Sequence, residues 1–474
     1  MGVREGVVSK VYAREKIHFI GIGGVGMSGI AQLLLELGYN ISGSDLQVSE
    51  ITERLVNLGA MIYLGHHENN LDNSVHTVVV SSAIPINNPE VVKAKSLGIP
   101  VIQRAEMLSR LMKRQKGIAV AGAHGKTTTT SLLALLFEKN NYDPTVVLGG
   151  EFNDIGGNAK LGQGEFFVAE ADESDGSFLK LEPTITVVTN IEDDHLDFYG
   201  TQEKIKAAFF EFILKTPSDG FAVLCLDDPG VAQLVPEIKG KVKFITYGFS
   251  SAADYIARDL KLEGFGTKFS VENQGKVWGE ITLNIPGKYN VYNALAAIAV
   301  GRECGLSFAD IAASLPDFRG VQRRFEKVAE VDGIYIYDDY AHHPSELKAT
   351  LAAAKRVGAE RVVAVFQPHR FSRTQCLKEE FGTAFQDADV LVMTEIYAAG
   401  EKPLNGVNAH LLIEEIQKQT GQEVKYIPDK NLIAGQLTEM VRPGDLVLTL
   451  GAGDIWLAGV TLRELLMKKG KIVS

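Results

Sequence analysis

The sequence predicts an α/β protein of three domains. Its 474 residues exceed what one hydrophobic core usually serves. Short β-branched runs alternate with helical segments from the N-terminal region onward, the signature of a parallel sheet. That alternation then restarts twice.

In the first stretch, Ile17-His18-Phe19-Ile20 reads as a strand, Met27 to Leu37 as a helix and Tyr39-Asn40-Ile41-Ser42 as the next strand. Val78-Val79-Val80 and Pro100-Val101-Ile102 continue the pattern. After the basic run Lys113-Arg114-Gln115-Lys116, a strand at Ile118 to Ala121 and a helix over Thr127 to Asn140 open a second unit. There Phe166 to Ala169 and Ile185 to Val188 read as buried strands. Tyr255 to Ile285 alternates in the manner of an antiparallel insert, and Asn293 to Val300 is an Ala-rich helix. The third unit carries strands at Ile334 to Tyr337, Val362 to Phe366, Val390 to Met393 and Leu446 to Leu450. Boundaries near 111 and 317 give domains 1–111, 112–317 and 318–474.

A hydrophobic share of 45% and a charged share of 23% are those of a soluble globular chain. No apolar run approaches the ~18 residues of a membrane helix. The opening Met1-Gly2-Val3-Arg4-Glu5-Gly6 lacks a signal peptide's apolar region, so a cytoplasmic location without a membrane partner is expected. Cys225, Cys304 and Cys376 lie far apart, with neither zinc-ligand spacing nor a disulfide framework. A net charge of -11 argues against a nucleic-acid surface, so an anionic ligand must be held locally.

Two glycine-rich loops could do so. Gly21, Gly23 and Gly26 form G-x-G-x-x-G between a strand and a helix, and Asp45 ends the next strand. Such glycines let backbone N–H groups approach a pyrophosphate at the positive end of a helix, although a tight turn without a ligand has the same pattern. The second loop, Gly122-Ala123-His124-Gly125-Lys126-Thr127-Thr128, ends in G-K-T but has Val120 where the usual phosphate loop has its first glycine. In this shorter variant Gly122 and Gly125 permit a backbone nest, Lys126 supplies charge for the β- and γ-phosphates, and the Thr127 hydroxyl can bind Mg²⁺.

Acids end two of the apolar strands. Glu170 opens Glu170-Ala171-Asp172-Glu173-Ser174-Asp175, and Asp193-Asp194-His195-Leu196-Asp197 follows Ile185 to Thr189. Ligands of open α/β sheets bind beyond the carboxyl ends of strands, so the phosphate loop, Glu170 and His195 should converge. Hard cations prefer oxygen, which favours Glu170 over His195 as a ligand.

With these motifs the chain resembles the Mur ligase family over essentially its whole length. The resemblance rests on Gly21-Ile22-Gly23-Gly24-Val25-Gly26-Met27-Ser28, the Gly122 to Thr128 loop and both acidic runs. It rests also on Gly287-Lys288-Tyr289-Asn290-Val291-Tyr292-Asn293-Ala294, Arg323-Arg324-Phe325, Asp338-Asp339-Tyr340-Ala341-His342-His343-Pro344 and Gln367-Pro368-His369-Arg370-Phe371-Ser372-Arg373-Thr374. It implies an N-terminal Rossmann-like domain for a UDP-sugar, a central phosphate-loop ATPase domain and a C-terminal Rossmann-like domain for an amino acid. The first loop would then bind the pyrophosphate of UDP through Gly21, Gly23, Gly24, Gly26 and Met27. Ser44, Asp45, His67, Ser82 and Arg104 are implied as further contacts.

The resemblance is to the branch joining L-alanine to UDP-N-acetylmuramate in peptidoglycan precursor synthesis, with ATP as co-substrate. Relatives often place a carbamylated lysine beside a second magnesium ion. No lysine lies close to Glu170 here, and in this branch the acidic run takes that lysine's place. In the implied mechanism Lys126 and Mg²⁺ on Thr127 and Glu170 neutralise the γ-phosphate as the carboxylate attacks it. His195 would hold a second Mg²⁺. The amine of L-alanine then displaces phosphate from the acyl phosphate. Asn290, Asn293, Arg324 and Asp339 are implied contacts to ATP, in a site completed by domain closure. Arg370 or Arg373 would take the amino-acid carboxylate, with Tyr340, His342 and His369 lining the pocket. His342 and His343 both remain open as the base.

Other readings are a ligase recycling a preformed tripeptide onto UDP-N-acetylmuramate, a folylpolyglutamate synthase, a nicotinamide-dependent dehydrogenase and a nucleotide-sensing switch. The acidic run departs from the recycling type, and folylpolyglutamate synthase lacks the N-terminal unit. A dehydrogenase leaves Lys126, Glu170 and His195 without a role.

Overall fold

The computed structural model describes residues 15–152, 157–193 and 195–473, so the opening hexapeptide and Asp194 lie outside the described residues. Its contacts define two compact units. One is Met1–Ile256 with Glu272–Lys276 and Tyr292–Ser314, and the other is Ala257–Val271, Val277–Val291 and Leu315–Ser474.

The first unit contains a wholly parallel sheet of β1 (Lys16–Ile20), β2 (Asn40–Asp45), β3 (Met61–Leu64), β4 (Val75–Val80) and β5 (Val101–Gln103) in the order β3-β2-β1-β4-β5. The winding reverses between β1 and β4, which opens a crevice at the carboxyl end of β1, where the first glycine loop follows. The helix Val25–Glu36 buries Met27, Ile30, Leu33 and Leu34 against this sheet.

A second sheet begins with β6 (Lys116–Ala121), β7 (Thr145–Phe152), β8 (Gly157–Lys160), β9 (Phe166–Glu170), β10 (Ile185–Val188), β11 (Phe221–Cys225) and β12 (Phe244–Gly248). Its order β12-β11-β10-β6-β9-β7 is parallel, with β8 antiparallel on the edge. The helix Lys126–Lys139 is buried along nearly its whole length, as befits a connector lying on a parallel sheet. Phe178 packs at 5.2 Å from Phe209 and 4.8 Å from Phe212, closing the core beneath the acidic run.

The strand β13 (Tyr255–Glu263) starts beside β12 at Tyr255 and Ile256 and passes into the second unit at Ala257, which also takes β14 (Gly266–Asn273) as far as Val271 and β15 (Lys276–Leu283) from Val277. Two-residue turns at Gly264-Phe265 and Gln274-Gly275 join these strands, so the neighbours run antiparallel. This is the expected insert.

The third sheet lies in the second unit and comprises β16 (Glu326–Val331), β17 (Ile334–Asp339), β18 (Arg361–Phe366), β19 (Val390–Met393), β20 (Val424–Tyr426) and β21 (Asp445–Leu450). The order is β16-β17-β21-β18-β19-β20, with only β16 antiparallel. Three parallel-containing α/β sheets match the expected fold class. Strands absent from the sequence reading include β3, β16 and β20, which are short or half-exposed edge strands with a weak hydrophobic pattern, and β7, β8, β11 and β12 of the second sheet, of which β11 is wholly buried. Among the described residues no helix is long and apolar enough to cross a membrane.

One ion pair locks the third sheet. Asp445 is fully buried and faces Arg361 across β18 and β21; Arg361 Nε donates to one carboxylate oxygen at 2.9 Å and Nη2 to the other at 2.7 Å. Truncating one partner of such a pair strands the other. Asp445→Ala is therefore expected to destabilise the second unit by about 3 kcal/mol, read as a lower urea midpoint; an unchanged midpoint would remove the pair from the core's support.

Candidate active site

Both glycine loops lead into helices without a side-chain cap: Gly24 precedes Val25–Glu36, and the left-handed Gly125 precedes Lys126–Lys139. Ser49, Thr201, Asp228 and Asn408 cap other helices with side-chain oxygens. An uncapped N-terminus keeps its positive end available to an anion.

In the first loop, Gly21 takes φ +78° and its N–H donates to the Ser44 carbonyl at 2.8 Å. The Gly23 N–H donates to Asp45 Oδ2 at 2.8 Å. A Cβ at Gly26 would sit 2.4 Å from Arg104 Nη1, so the third glycine makes room for that guanidinium. Arg104 also donates from Nη2 to Asp172 at 2.8 Å and so joins this loop to the acidic run. Two of the expected contacts have buried side chains. Met27 is 2% exposed and its side chain belongs to the core, while Ser44 is wholly buried and its hydroxyl donates to Glu90 at 2.6 Å. The His67 ring caps a short helical turn by accepting from the Asn69 N–H at 3.1 Å. Ser82 lies exposed after β4.

The second loop is shaped by contact. A Cβ on Gly122 would lie 2.0 Å from Thr189 Oγ1, and one on Gly125 would lie 2.4 Å from Asn293 Oδ1. Asn190 closes the loop from β10: its carbonyl accepts from Ala123 N–H at 3.4 Å and its side-chain oxygen from His124 N–H at 2.8 Å. His124 Nε2 lies 3.2 Å from Glu192. Asn293 Oδ1 also accepts from the Thr129 hydroxyl at 3.3 Å, behind a buried Thr127 and Thr128.

The expected convergence of Lys126, Thr127, Glu170 and His195 is present. The Thr127 hydroxyl donates to Glu170 Oε2 at 3.2 Å, and the Gly149 N–H donates to the other oxygen at 2.6 Å. Lys126 Nζ donates to the Ala123 carbonyl at 3.1 Å and to Glu173 Oε1 at 2.7 Å. That same oxygen lies 3.7 Å from His195 Nε2. Glu173, like Asp172, is not singled out from sequence, where Glu170 alone stands for the acidic run. Burial pushes its carboxyl up to about 7 against the attraction of Lys126, whose ammonium the acids hold above its ordinary value despite its own burial. Burial would also raise Asp172, but Arg104 and Ser174 bring it below the usual carboxylate range.

The second unit gathers the remaining motifs at the carboxyl ends of β17, β18 and β21. Asp339 is buried, and its oxygens accept from the Phe325 N–H at 2.7 Å and the Ala341 N–H at 2.8 Å. Burial raises it to about 7, with Arg324 opposing. Asn290, likewise buried, donates to the Pro286 carbonyl at 2.7 Å. Arg323 and Arg324 lie over the Tyr340 ring at 5.0 and 5.2 Å, a cation–π arrangement. His342 Nδ1 lies 2.9 Å from the Tyr340 carbonyl, whereas His343 Nδ1 accepts from the Ser345 N–H at 3.4 Å to cap the helix Pro344–Arg356.

His369 stacks on Tyr397 at 5.6 Å, and its Nδ1 accepts from Arg373 Nη1 at 3.3 Å. Tyr397 comes from the loop after β19, which sequence spacing did not connect to the site. Its carbonyl accepts from the Arg370 N–H at 2.9 Å, while Arg370 holds φ +68°. Glu401 accepts from the Ser372 hydroxyl at 2.5 Å and N–H at 3.1 Å, so this loop fixes the segment bearing Arg370 and Arg373.

The Lys126 loop of the first unit, with its uncapped helix N-terminus and the Thr127 and Glu170 oxygens beside it, has the features of a nucleotide-dependent enzyme. The chain belongs to the Mur ligase family: the family's catalytic domain matches residues 16–116, the Mur ligase middle domain residues 120–301, and the Mur ligase glutamate ligase domain residues 323–453. Membership makes ATP the co-substrate. The chain is 54% identical over 460 residues to the UDP-N-acetylmuramate–L-alanine ligase of Pelotomaculum thermopropionicum, covering 97% of this chain and 99% of that protein. It is 55% identical over 450 residues to the enzyme of the same name from Geotalea uraniireducens, covering 95% and 98%. Among solved structures, the UDP-N-acetylmuramate-alanine ligase of Thermotoga maritima superposes with a TM-score of 0.82 at 32% identity, covering 96% of this chain and 99% of that one. A murein peptide ligase from Psychrobacter arcticus shares the fold at a TM-score of 0.69 and 24% identity, covering 95% and 98%.

His369 generates a pH prediction. Burial, then His342, Arg373 and Arg370, push its imidazole down to about 3 from an ordinary 6.5. The unfolded chain therefore binds the extra proton first, so this residue's contribution is whole above pH 6.5 and falls as pH drops toward 3. His369→Gln should flatten the acid limb of stability relative to the parent between those values. Denaturant midpoints with parallel pH slopes would refute it.

Proposed function

We propose that this chain forms the amide bond between the carboxylate of UDP-N-acetylmuramate and the amino group of L-alanine, driven by ATP through an acyl phosphate. The observation that carries the proposal is the meeting of Lys126, Thr127, Glu170 and Glu173 at the ends of β6 and β9, in a chain matching L-alanine ligases along almost its full length. We assign nucleotide-sugar binding to residues 1–111, ATP binding to 112–317 and amino-acid binding to 318–474.

A carboxylate cannot expel hydroxide at neutral pH and must first be activated. In the proposed reaction it attacks the γ-phosphorus of ATP, ADP leaves, and the acyl phosphate is committed to the amine. Lys126 leaves Glu173 for the phosphate oxygens, supplying charge where negative charge develops. The paired oxygens of Thr127 and Glu170 suit a hard cation and would hold Mg²⁺, while His195 beside Glu173 offers a place for a second. Bound there, Mg²⁺ would neutralise the phosphate charge.

In the second step the amine of L-alanine adds to the acyl carbon, loses a proton, and phosphate departs. Arg373, oriented by neutral His369, offers its guanidinium to the alanine carboxylate. Of the two candidate bases, His343 uses Nδ1 as an acceptor, so in its neutral form Nε2 carries the hydrogen. His342 donates from Nδ1 to Tyr340, which leaves a lone pair on Nε2. We assign proton removal to His342.

Phosphate release should require ATP, UDP-N-acetylmuramate and L-alanine together, and a tripeptide should not replace alanine. Release with the tripeptide alone would favour the recycling reading. Lys126→Ala should abolish turnover yet leave calorimetric binding of UDP-N-acetylmuramate intact. For His342→Gln, alanine-dependent turnover is expected to fall by roughly 10²-fold or more. Borohydride trapping of the acyl phosphate should persist in that variant; loss of trapping would place His342 in the first step instead.

A further inference from the structure

Beneath the first glycine loop lies a charge that the mechanism above does not use. Glu90 is wholly buried in the first turn of the helix Pro89–Ser96. Helix N-termini favour a carboxylate, and Asn88 accepts from the Glu90 N–H at 2.9 Å to cap the turn. No lysine or arginine is paired with Glu90 in the described ion pairs; its neighbours are His18 Nε2 and His66 Nδ1, each 3.6 Å from Oε2.

The hydrogen bonds radiating from Glu90 converge on the nucleotide-sugar loop. Oε2 accepts from the Ser44 hydroxyl at 2.6 Å, and Oε1 accepts from Asn70 Nδ2 at 2.5 Å and the His67 N–H at 3.4 Å. Ser44 also lies 2.9 Å from His66 Nδ1. The backbone of the same Ser44 holds the loop itself: its carbonyl accepts from Gly21 N–H at 2.8 Å and Ile22 N–H at 3.1 Å. The next residue, Asp45, holds Gly23. One carboxylate therefore ties together the end of β2, the segment after β3 and, through Ser44, the turn after β1.

We propose that Glu90 is a positioning residue for nucleotide-sugar recognition, a buried pin that holds Ser44 and the 65–70 segment so that the Gly21–Gly24 turn presents its pyrophosphate-binding shape. It touches no substrate. Its effect passes through backbone placement, and displacements of a few tenths of an ångström at a phosphate-binding turn weaken every hydrogen bond the turn makes. The inference rests on the assignment of this loop to UDP-N-acetylmuramate.

The conservative variant Glu90→Gln keeps shape and most hydrogen-bonding capacity but removes the charge to which Ser44, Asn70 and His67 are oriented. On the full-length protein, with Tm recorded to establish folding, calorimetry with UDP-N-acetylmuramate and steady-state kinetics are measured together. The expected result is a Kd and KM for UDP-N-acetylmuramate raised about tenfold, with KM for ATP and for L-alanine within twofold of the parent. Asn70→Ala, which loosens the other carboxylate oxygen, should shift the same constant in the same direction. It supplies the test if the glutamine variant does not fold. Unchanged UDP-N-acetylmuramate affinity in a folded variant, or a parallel rise in all three KM values, overturns the proposal. A parent protein that fails to bind UDP-N-acetylmuramate would instead overturn the assignment of the loop.

Discussion

The structure depends on how closely the backbone passes its neighbours where β6, β9 and β10 end. At Gly122 and Gly125 there is no volume for a methyl group, because Thr189 and Asn293 already occupy it. That crowding, rather than a full-length phosphate-loop pattern, fixes the turn. It brings Lys126 onto Glu173 and turns Thr127 toward Glu170. The shortened motif keeps its shape by being braced from outside, with Asn190 and Thr189 binding its peptide groups from β10's end.

Strain marks the same regions. His195, Arg323, Phe325 and Arg370 all hold positive φ, at 61°, 59°, 50° and 68°. Each such residue costs on the order of 1–3 kcal/mol and persists only when its surroundings dictate it. The surroundings are visible at Arg323, whose Nε donates to Asp338 at 3.0 Å and whose N–H donates to Glu326 at 2.7 Å. At Arg370, Tyr397 supplies the restraint. Side chains carried on such backbones are aimed before any ligand arrives, so less ordering is required on binding.

Fold class and the phosphate loop were legible because both depend on local pattern: alternation of elements, and glycines between a strand and a helix. Direction was less legible. Ser44 and Met27 sit within the right motifs, yet one faces Glu90 and the other the core, a choice set by packing across the sheet. Glu173 belongs to a run of acids whose individual aims depend on the turn after β9. Glu90 reads in sequence as an ordinary first-turn acid, and its burial follows only from the order of β1, β2 and β4. Tyr397 and Glu401 reach the 367–373 segment through the adjacency of β18 and β19, a contact between residues far apart in the chain.

Arg104 bears on how ligands arrive. The chain carries a net charge of -11, and each of its nucleotide ligands is a polyanion. An acidic run beside the two glycine loops would repel them over roughly a Debye length, about 8 Å at physiological salt. By pairing with Asp172 while lying against Gly26, Arg104 offsets one carboxylate beside the first glycine loop. The approaching anion meets a dipole instead of a bare negative charge. Local pairing of this kind, and not net charge alone, sets the field an anion meets at the first loop.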